Sequence, residues 1–581
     1  MKALCGAVLI LAAAARAQAP SGAEDPVLKA MNDELERAKA LRIVSSDPPY
    51  YVEYQLEDQQ SFSVSAMLGG LLGSSDNSFR IPEVQVRVGD YRFDNTDHVY
   101  SDYNSGRRYD PSRWPVDNNY GVMRQFLWLA TDRAFKGALE GIARKRASMK
   151  NMAEGAEPLP DFSKAEPSVR ILPVARHPVD KADWTRRIVD LSRIFNAYPE
   201  IVSSSVNLDA NEATFYFANS EGTRIRMPDD AYSVRVRASA QSADGMVIRG
   251  AAVFPALELS QLPSEAELKR GVAEVAEDLK GLVHAPPGES YVGPVLMEPK
   301  AAAQLFAQLL GDNLRIARRP LADPGRTIPF TPSELEGRQG SRVLPEWMDV
   351  VDDATQTEWR GHPLLGRYLF DIEGVPPKPV VLIEKGVLKN YLLTRQPVKG
   401  FGESNGHARL PGNYGAKMAV IGNLFVKAQE TQSPADLKKK LIELTQQRNK
   451  PYAMLIRKLD YPSAAGIQEL RAVAQASGGS RPVSPPLMVY KVYPDGREEL
   501  VRGLRFRGLT VRSLKDILAA SSDTAVFDFL NNGVPFAMLG AGTYVAPCTV
   551  VAPGVLFDEL ELERPQEELS KPPIVPPPPL S

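Results

Sequence analysis

The residues of this chain best suited to hold a metal ion or move a proton are five histidines: His98, His177, His284, His362 and His407. They are followed by Val, Pro, Ala, Pro and Ala respectively, so no His-Glu dipeptide exists. A helical zinc peptidase needs two imidazoles on one helix face. A glutamate beside the first acts as general base on the metal-bound water. That arrangement is absent. The nearest histidine pair in sequence, His362 and His407, is 45 residues apart. A dispersed site of His362, Asp371, Glu373 and His407 is the remaining way to gather such ligands. These four sit in Gly/Pro-rich turns, where solvated polar side chains are ordinary.

Other catalytic templates fail as well. There is no G-x-S-x-G elbow for a serine hydrolase and no G-x-x-x-x-G-K-[ST] phosphate loop. GAGTY at 540–544 is glycine-rich, but no phosphate-binding helix pattern follows it. The two cysteines are Cys5 and Cys548. Cys548 lies in TYVAPCTVVAPG, a strand-like run, where a small buried hydrophobe is the expected role.

The elements around these residues indicate an α+β chain of several domains. A charged amphipathic helix is expected over 24–42, then strand-like runs at YYVEYQLED and FRIPEVQVRVGDYRF, with MLGGLLGSSDNS as a flexible loop between them. A long helix follows over 123–148. The acidic, Pro-rich stretch EGAEPLPDFSKAEPS marks a boundary near residue 160. A second unit, 161–290, pairs two helices (180–198 and 264–285) with successive antiparallel strands over 203–241. Residues 291–565 read as a large β-rich domain of short strands, and 566–581 as a Pro-rich disordered tail. At the start of that domain, AAAQLFAQLLGDNL (301–314) places Ala302, Leu305, Phe306, Leu309 and Leu310 on one helical face. Pro299 suits its first turn, and Gly311 with Asn313 supplies a stop.

Residues 1–19 have one lysine, an apolar run from Ala3 to Ala15 and small residues at Ala17 and Ala19, the layout of a secretory signal peptide. The expected location is therefore periplasmic or extracellular, with cleavage after Ala17 or Ala19. Removal of the leader leaves Cys548 alone, which excludes an internal disulfide. No other segment approaches the ~20 apolar residues of a membrane helix. A net charge of −2, with Lys438-Lys439-Lys440 the longest basic cluster, gives no electrostatic footprint for nucleic acid.

Residues 350–395, VVDDATQTEWRGHPLLGRYLFDIEGVPPKPVVLIEKGVLKNYLLTR, resemble the TldD/PmbA (TldE) family, metalloprotease-related proteins long labelled modulators of DNA gyrase. The matching elements are the VVDD entry, the D-x-E-G-V-P block at Asp371 to Pro376, and LIEKGVLKNYL. Further matches are YVGPVLMEP before the 301–314 helix, ANSEG at Ala218 to Gly222, and YPDGREELVRGLRFRG. Together they cover about residues 160–560. The resemblance implies a C-terminal domain of the TldD/PmbA type. In active members the helix after the YxGPV-like strand carries H-E-x-x-x-H, and a later cysteine completes the metal site.

Laid onto this chain, the first histidine position is Ala307, the glutamate position is Gln308 and the second histidine position is Asp312. Gly311 stands where the helix must open, because residues five apart lie ~140° apart on a straight helix. The family's cysteine has a Cys-Gly-Lys context, whereas Cys548 precedes Thr549 and Val550 and falls several residues late. Its role is not carried over. The resemblance thus implies a non-catalytic, TldE-like exported subunit with no catalytic or metal residues of its own. It would pair with an H-E-x-x-x-H partner in a peptide-handling heterodimer, zinc being expected only in that partner. Alternatives are a homodimer, a self-sufficient hydrolase using the dispersed site, or a peptide-binding scaffold in the envelope.

Overall fold

The computed structural model describes residues 25–42, 48–100, 114–150, 159–412 (apart from 324, 327 and 329), 416–460, 483–531, 545–566 and 569. The run expected as a leader at 1–19 and GAGTY fall outside these residues, as does nearly all of the tail expected over 566–581.

The first half is built on one seven-stranded sheet. Strands β1 (Pro49–Met67) and β2 (Gly70–Val88) form a long antiparallel hairpin. The flexible loop expected over MLGGLLGSSDNS is not there. The chain reverses at Leu68 and Gly69, both with positive φ (51° and 84°), and Gly70 is already in β2. Two successive positive-φ residues give a turn whose twist matches paired strands, so a polar, glycine-rich run continues as an edge strand. After the short β3 (His98–Val99) and β4 (Val169–Ile171) comes β5 (Ile201–Asn219), which pairs with β1 from Glu53↔Asn219 to Ala66↔Val206. The other edge of β5 is shared by β6 (Arg224–Pro228) and β7 (Ala231–Gln241), and β7 pairs with β8 (Val247–Ala256). Strands from both sides of residue 160 therefore lie in a single sheet.

Strand alternation explains how this sheet is used. Even-numbered side chains of β1 and β5 (Val52, Tyr54, Leu56, Tyr216) meet helices α1 (Pro26–Ala38) and α2 (Tyr120–Met149). Further along the same strands, Phe62, Val64, Val206 and Leu208 meet α3 (Lys181–Arg193) and α4 (Glu265–His284). Each helix has a side-chain N-cap, from Asp25, Asn119, Asp180 and Ser264 in turn. The odd-numbered side chains point the other way and meet the second half of the chain. Gln55 donates to the Ile372 carbonyl (2.8 Å), and Phe215 and Phe217 pack with Phe370.

The second half holds an eleven-stranded mixed sheet around the strand Ala546–Glu563. That strand lies between β9 (Tyr291–Met297), antiparallel to it, and Asn423–Ala428, parallel to it. The sheet's short strands include Val380–Glu384, Pro486–Val492, Glu498–Val501 and Arg505–Arg507, whereas GVLKNYLL contributes only Val387–Leu388. The fold is α+β. No helix among the described residues is long and apolar enough to cross a membrane.

Candidate functional site

The helix at 299–314 begins with Pro299 directly after Glu298. It is α-helical to Leu305, π-helical from Phe306 to Gly311, and ends with a last turn at Asp312–Leu314. The five residues of its expected apolar face are all buried, and Lys300, Gln308 and Asp312 form the more open line. Residues 301–307 are all buried, as are Leu309, Leu310, Asn313 and Leu314. Burial extends beyond that face to Ala301, Ala303, Gln304 and Ala307, because the helix packs in one core with residues from 335 to 426 as well as with the sheet.

The π-turn has a consequence for positions 307 and 312. Its hydrogen bonds run from i to i+5, so residues five apart come nearer one face than they do on an α-helix. The opening expected from the motif spacing is therefore built into the backbone. Gly311 does not supply it by conformational freedom, because its φ and ψ are −55° and −43°. An added Cβ there would meet Ile421 Cδ1 at 3.4 Å, an ordinary contact. Gly311→Ala is accordingly expected to change stability by no more than about 1 kcal/mol, with helix propensity favouring Ala. Urea unfolding of the two proteins checks this, and a larger loss would mean that the π-turn needs glycine.

The three side chains on this turn are committed to other tasks. Ala307 offers only a methyl group. Gln308 accepts from the Ser484 amide (2.8 Å) and hydroxyl (2.9 Å) and donates to the Gln304 carbonyl (3.2 Å). Asp312 pairs with Arg315 at 3.2 Å. Asn313, expected as a stop signal, caps from the side: its amide donates to Leu309 O, and its carbonyl oxygen accepts from Glu334 N.

Cys548 is brought to the same place by the Ala546–Glu563 strand. The thiol is fully buried and donates towards the carbonyls of Ile421 and Ala546, each at 3.2 Å. Burial pushes it up to about 12, the Arg409 charge opposes that, and Asp352 and Asp312 add to it. Its role as a small buried group stands, but its closeness to Ile421, and through it to Gly311 of the turn, was not visible from sequence spacing. Arg409 was missed altogether. Its Nη1 donates to Ile421 O (2.8 Å) and Pro547 O (2.6 Å) and lies 3.8 Å from Cys548 Sγ, and its guanidinium stacks over Tyr368 at 4.2 Å. Arg409 and Cys548 are 139 residues apart, and no motif links them.

These residues do not fit a catalytic zinc. The helix supplies no imidazole, the thiol is held protonated, and a guanidinium occupies the approach to the sulfur. Among the described residues no cluster of three or more His, Cys, Asp or Glu is arranged to hold a metal.

The dispersed set fares similarly. His362 is exposed and pairs with Asp528 (2.7 Å), which raises its pKa. His407 is buried and pairs with Asp352 (3.1 Å), whose carboxylate also accepts from the Gly422 amide. Asp371 accepts from the amides of Glu373, Val375 and Ala408, a turn brace, and burial holds its carboxyl well above the usual range. Glu373 is pushed up by burial and accepts from the Arg395 amide (2.6 Å). Each of the four has its own partners, and no shared point between them offers a reacting atom.

A groove of about 480 Å³ opens beside Arg409, between the odd-numbered face of the first sheet and the second half of the chain. Phe215, Met227 and Asp229 lie on one wall, and Tyr368, Phe370, Arg409 and Pro547 on the other. Asp229 is exposed at the groove, and desolvation by the protein atoms around it raises its pKa against the Arg409 charge. Asp230 is pushed up to about 6, chiefly by burial.

Residues 289–446 match the family model described as the PmbA/TldA metallopeptidase C-terminal domain. A metalloprotease of Methanothermobacter thermautotrophicus is 28% identical over 215 residues, 36% of this chain and 43% of that protein. A metalloprotease of Archaeoglobus fulgidus is 37% identical over 78 residues, 13% of this chain and 17% of that protein. The chain thus spans less than half the length of the curated relatives it matches. TldE from Thermococcus kodakarensis has a similar fold (TM-score 0.55, 13% identity, 92% of this chain and 100% of that one). So does a proposed modulator of a DNA gyrase from Thermotoga maritima (TM-score 0.54, 16% identity, 92% and 99%). Residues 289–446 thus match a C-terminal domain of the PmbA/TldA metallopeptidase type, and the chain shares the fold of TldE and the gyrase-modulator protein along most of its length.

Proposed function

We propose that this protein is an exported, non-catalytic subunit that pairs with an H-E-x-x-x-H-bearing homologue and takes part in peptide processing. The observation that carries the reading is the state of the π-turn. Its backbone shape suits ligands five residues apart, while Ala307, Gln308 and Asp312 provide a methyl group, a consumed amide and a paired carboxylate. Cys548 and Arg409 support it, because a buried protonated thiol beside a fixed cation is a poor place for a divalent metal. The fold likeness to a protein named TldE favours the non-catalytic side of the pair. Export rests on the leader-like run at 1–19. It also removes the reason to expect a topoisomerase as partner.

The test is metal analysis and peptidase assay of the purified chain, alone and mixed with an H-E-x-x-x-H homologue. The expected result is no stoichiometric zinc and no cleavage by the lone chain, with cleavage appearing only in the mixture and a stable complex on gel filtration. Stoichiometric zinc together with cleavage by the lone chain would refute the reading.

A further inference from the structure

We propose that Arg409 is a carboxylate receptor, and that the groove beside it takes a peptide with a free carboxylate directed at its guanidinium. This deepens the peptide-handling reading above and rests on it.

Arg409 is built in rather than loosely placed. It is only 9% exposed, and it lies on Ala408–Pro411, a short strand paired with Lys417–Ala419. Nη1 is used by the Ile421 and Pro547 carbonyls, and the plane is held against Tyr368. The Tyr368 hydroxyl is in turn tied to the Gly406 carbonyl at 2.7 Å. Nε and Nη2 have no hydrogen-bond partner among the described residues, and Arg409 lines the groove. A guanidinium held in one place at the groove, with two nitrogens left free to donate, is ready for an acceptor that enters there. A carboxylate matches those donors in number and geometry, and the fixed plane lowers the ordering cost of binding it. No protein carboxylate takes this place: Asp352 is engaged by His407 and Gly422, and Asp371 by three backbone amides.

The rest of the groove suits a peptide. Phe215, Met227 and Phe370 offer apolar surface for a side chain next to the carboxylate. Asp229, on the opposite wall and without a side-chain partner among the described residues, can accept from peptide N–H groups. Cation, apolar wall and acceptor are then arranged as the end of a peptide chain presents its own groups. The position has its own significance. The guanidinium lies beside Cys548 and is anchored on Ile421, whose side chain faces Gly311 of the π-turn, so it adjoins the turn that carries the motif positions through one residue.

The carboxylate of a chain end and that of an acidic side chain share this chemistry, and the test separates them. Fluorescently labelled peptides of sequence Ala-Ala-Phe-Leu are titrated against the full chain, one with a free C-terminus and one amidated. A third, Ala-Glu-Phe-Leu, is amidated and carries its acid on a side chain. The free acid is expected to bind at least about tenfold more tightly than the plain amide, the size of a charge-assisted hydrogen bond. Arg409→Met should remove that difference, and Arg409→Lys should restore only part of it. Tight binding of the Glu peptide as well would support the carboxylate site and widen its source. Equal binding of acid and plain amide by the natural chain would overturn this inference alone, whatever the variants do. Binding of none of the three would overturn it together with the peptide-handling reading.

Discussion

Iodoacetamide is expected to alkylate Cys548 in the native protein at pH 8 at least roughly 10³-fold more slowly than in the urea-unfolded chain. The thiolate is the reacting species. With a pKa of about 12 only about one thiol in 10⁴ is ionised at pH 8, against roughly a quarter of the thiols at an ordinary pKa near 8.5. The higher basicity of the native thiolate offsets part of this difference, and burial restores it by adding a barrier to access. The sign with pH follows from the raised pKa. Between pH 7 and 9 the native rate should climb about tenfold per unit, while that of the unfolded chain levels off above its own pKa. Mass mapping of Cys548 separates its label from any at Cys5. A native rate within tenfold of the unfolded one would show that the thiol is open and ionisable, and the case against a metal ligand at this position would weaken. Such a result would bear on the proposed function directly, because the protonated thiol is one of its supports.

Replacing Arg395 by Ala is expected to lower stability by about 3–5 kcal/mol, the cost of removing one partner from a buried ion pair. Its side chain crosses from the second half of the chain into the first. Nε and Nη2 donate to the Ser163 carbonyl (3.0 and 2.6 Å), and Nη2 also reaches Glu221 (2.7 Å). The guanidinium lies 4.0 Å from the centre of the Phe162 ring. Removal takes both donors from the Ser163 carbonyl, leaves Glu221 with only Tyr91 and Asn219 as partners, and opens a cavity where the two halves meet. Arg395→Lys should recover less than half of the loss, because one ammonium cannot replace a planar fork with several acceptors. The readout is the urea midpoint at unchanged slope. A loss below about 1 kcal/mol would mean that the two halves are held by other contacts.

The same contact shows why part of the candidate site was not legible from residue types. Asp371 and Glu373 stand in a motif that resembles the family, and carboxylates two residues apart invite a chemical role. The fold employs them as hydrogen-bond acceptors for backbone amides, Asp371 for its own turn and Glu373 for the amide of Arg395. His362 and His407, paired by elimination in the sequence, acquire separate aspartates instead. The loop expected at MLGGLLGSSDNS failed for a related reason. Glycine and serine weaken a strand locally, but β1 beside it is anchored on β5 over fourteen consecutive pairs, and β2 follows β1.

By itself the sequence determined what depends on local pattern and on the identity of single residues. The helices with their capping residues follow from periodicity, and most of the strands from alternation. The lack of any His-Glu pair, and the replacement of the motif positions by Ala307, Gln308 and Asp312, need only letters in order. Tertiary structure alone decided what depends on distant residues meeting. It joined β1 and β5 in one sheet across residue 160, buried residues 301–307 all round the helix, and set Arg409 beside Cys548. The physical reason is that a side chain's charge state and available donors are fixed by its neighbours in space. For Arg409 those neighbours are the Ile421 and Pro547 carbonyls and the Tyr368 ring, which no spacing rule connects.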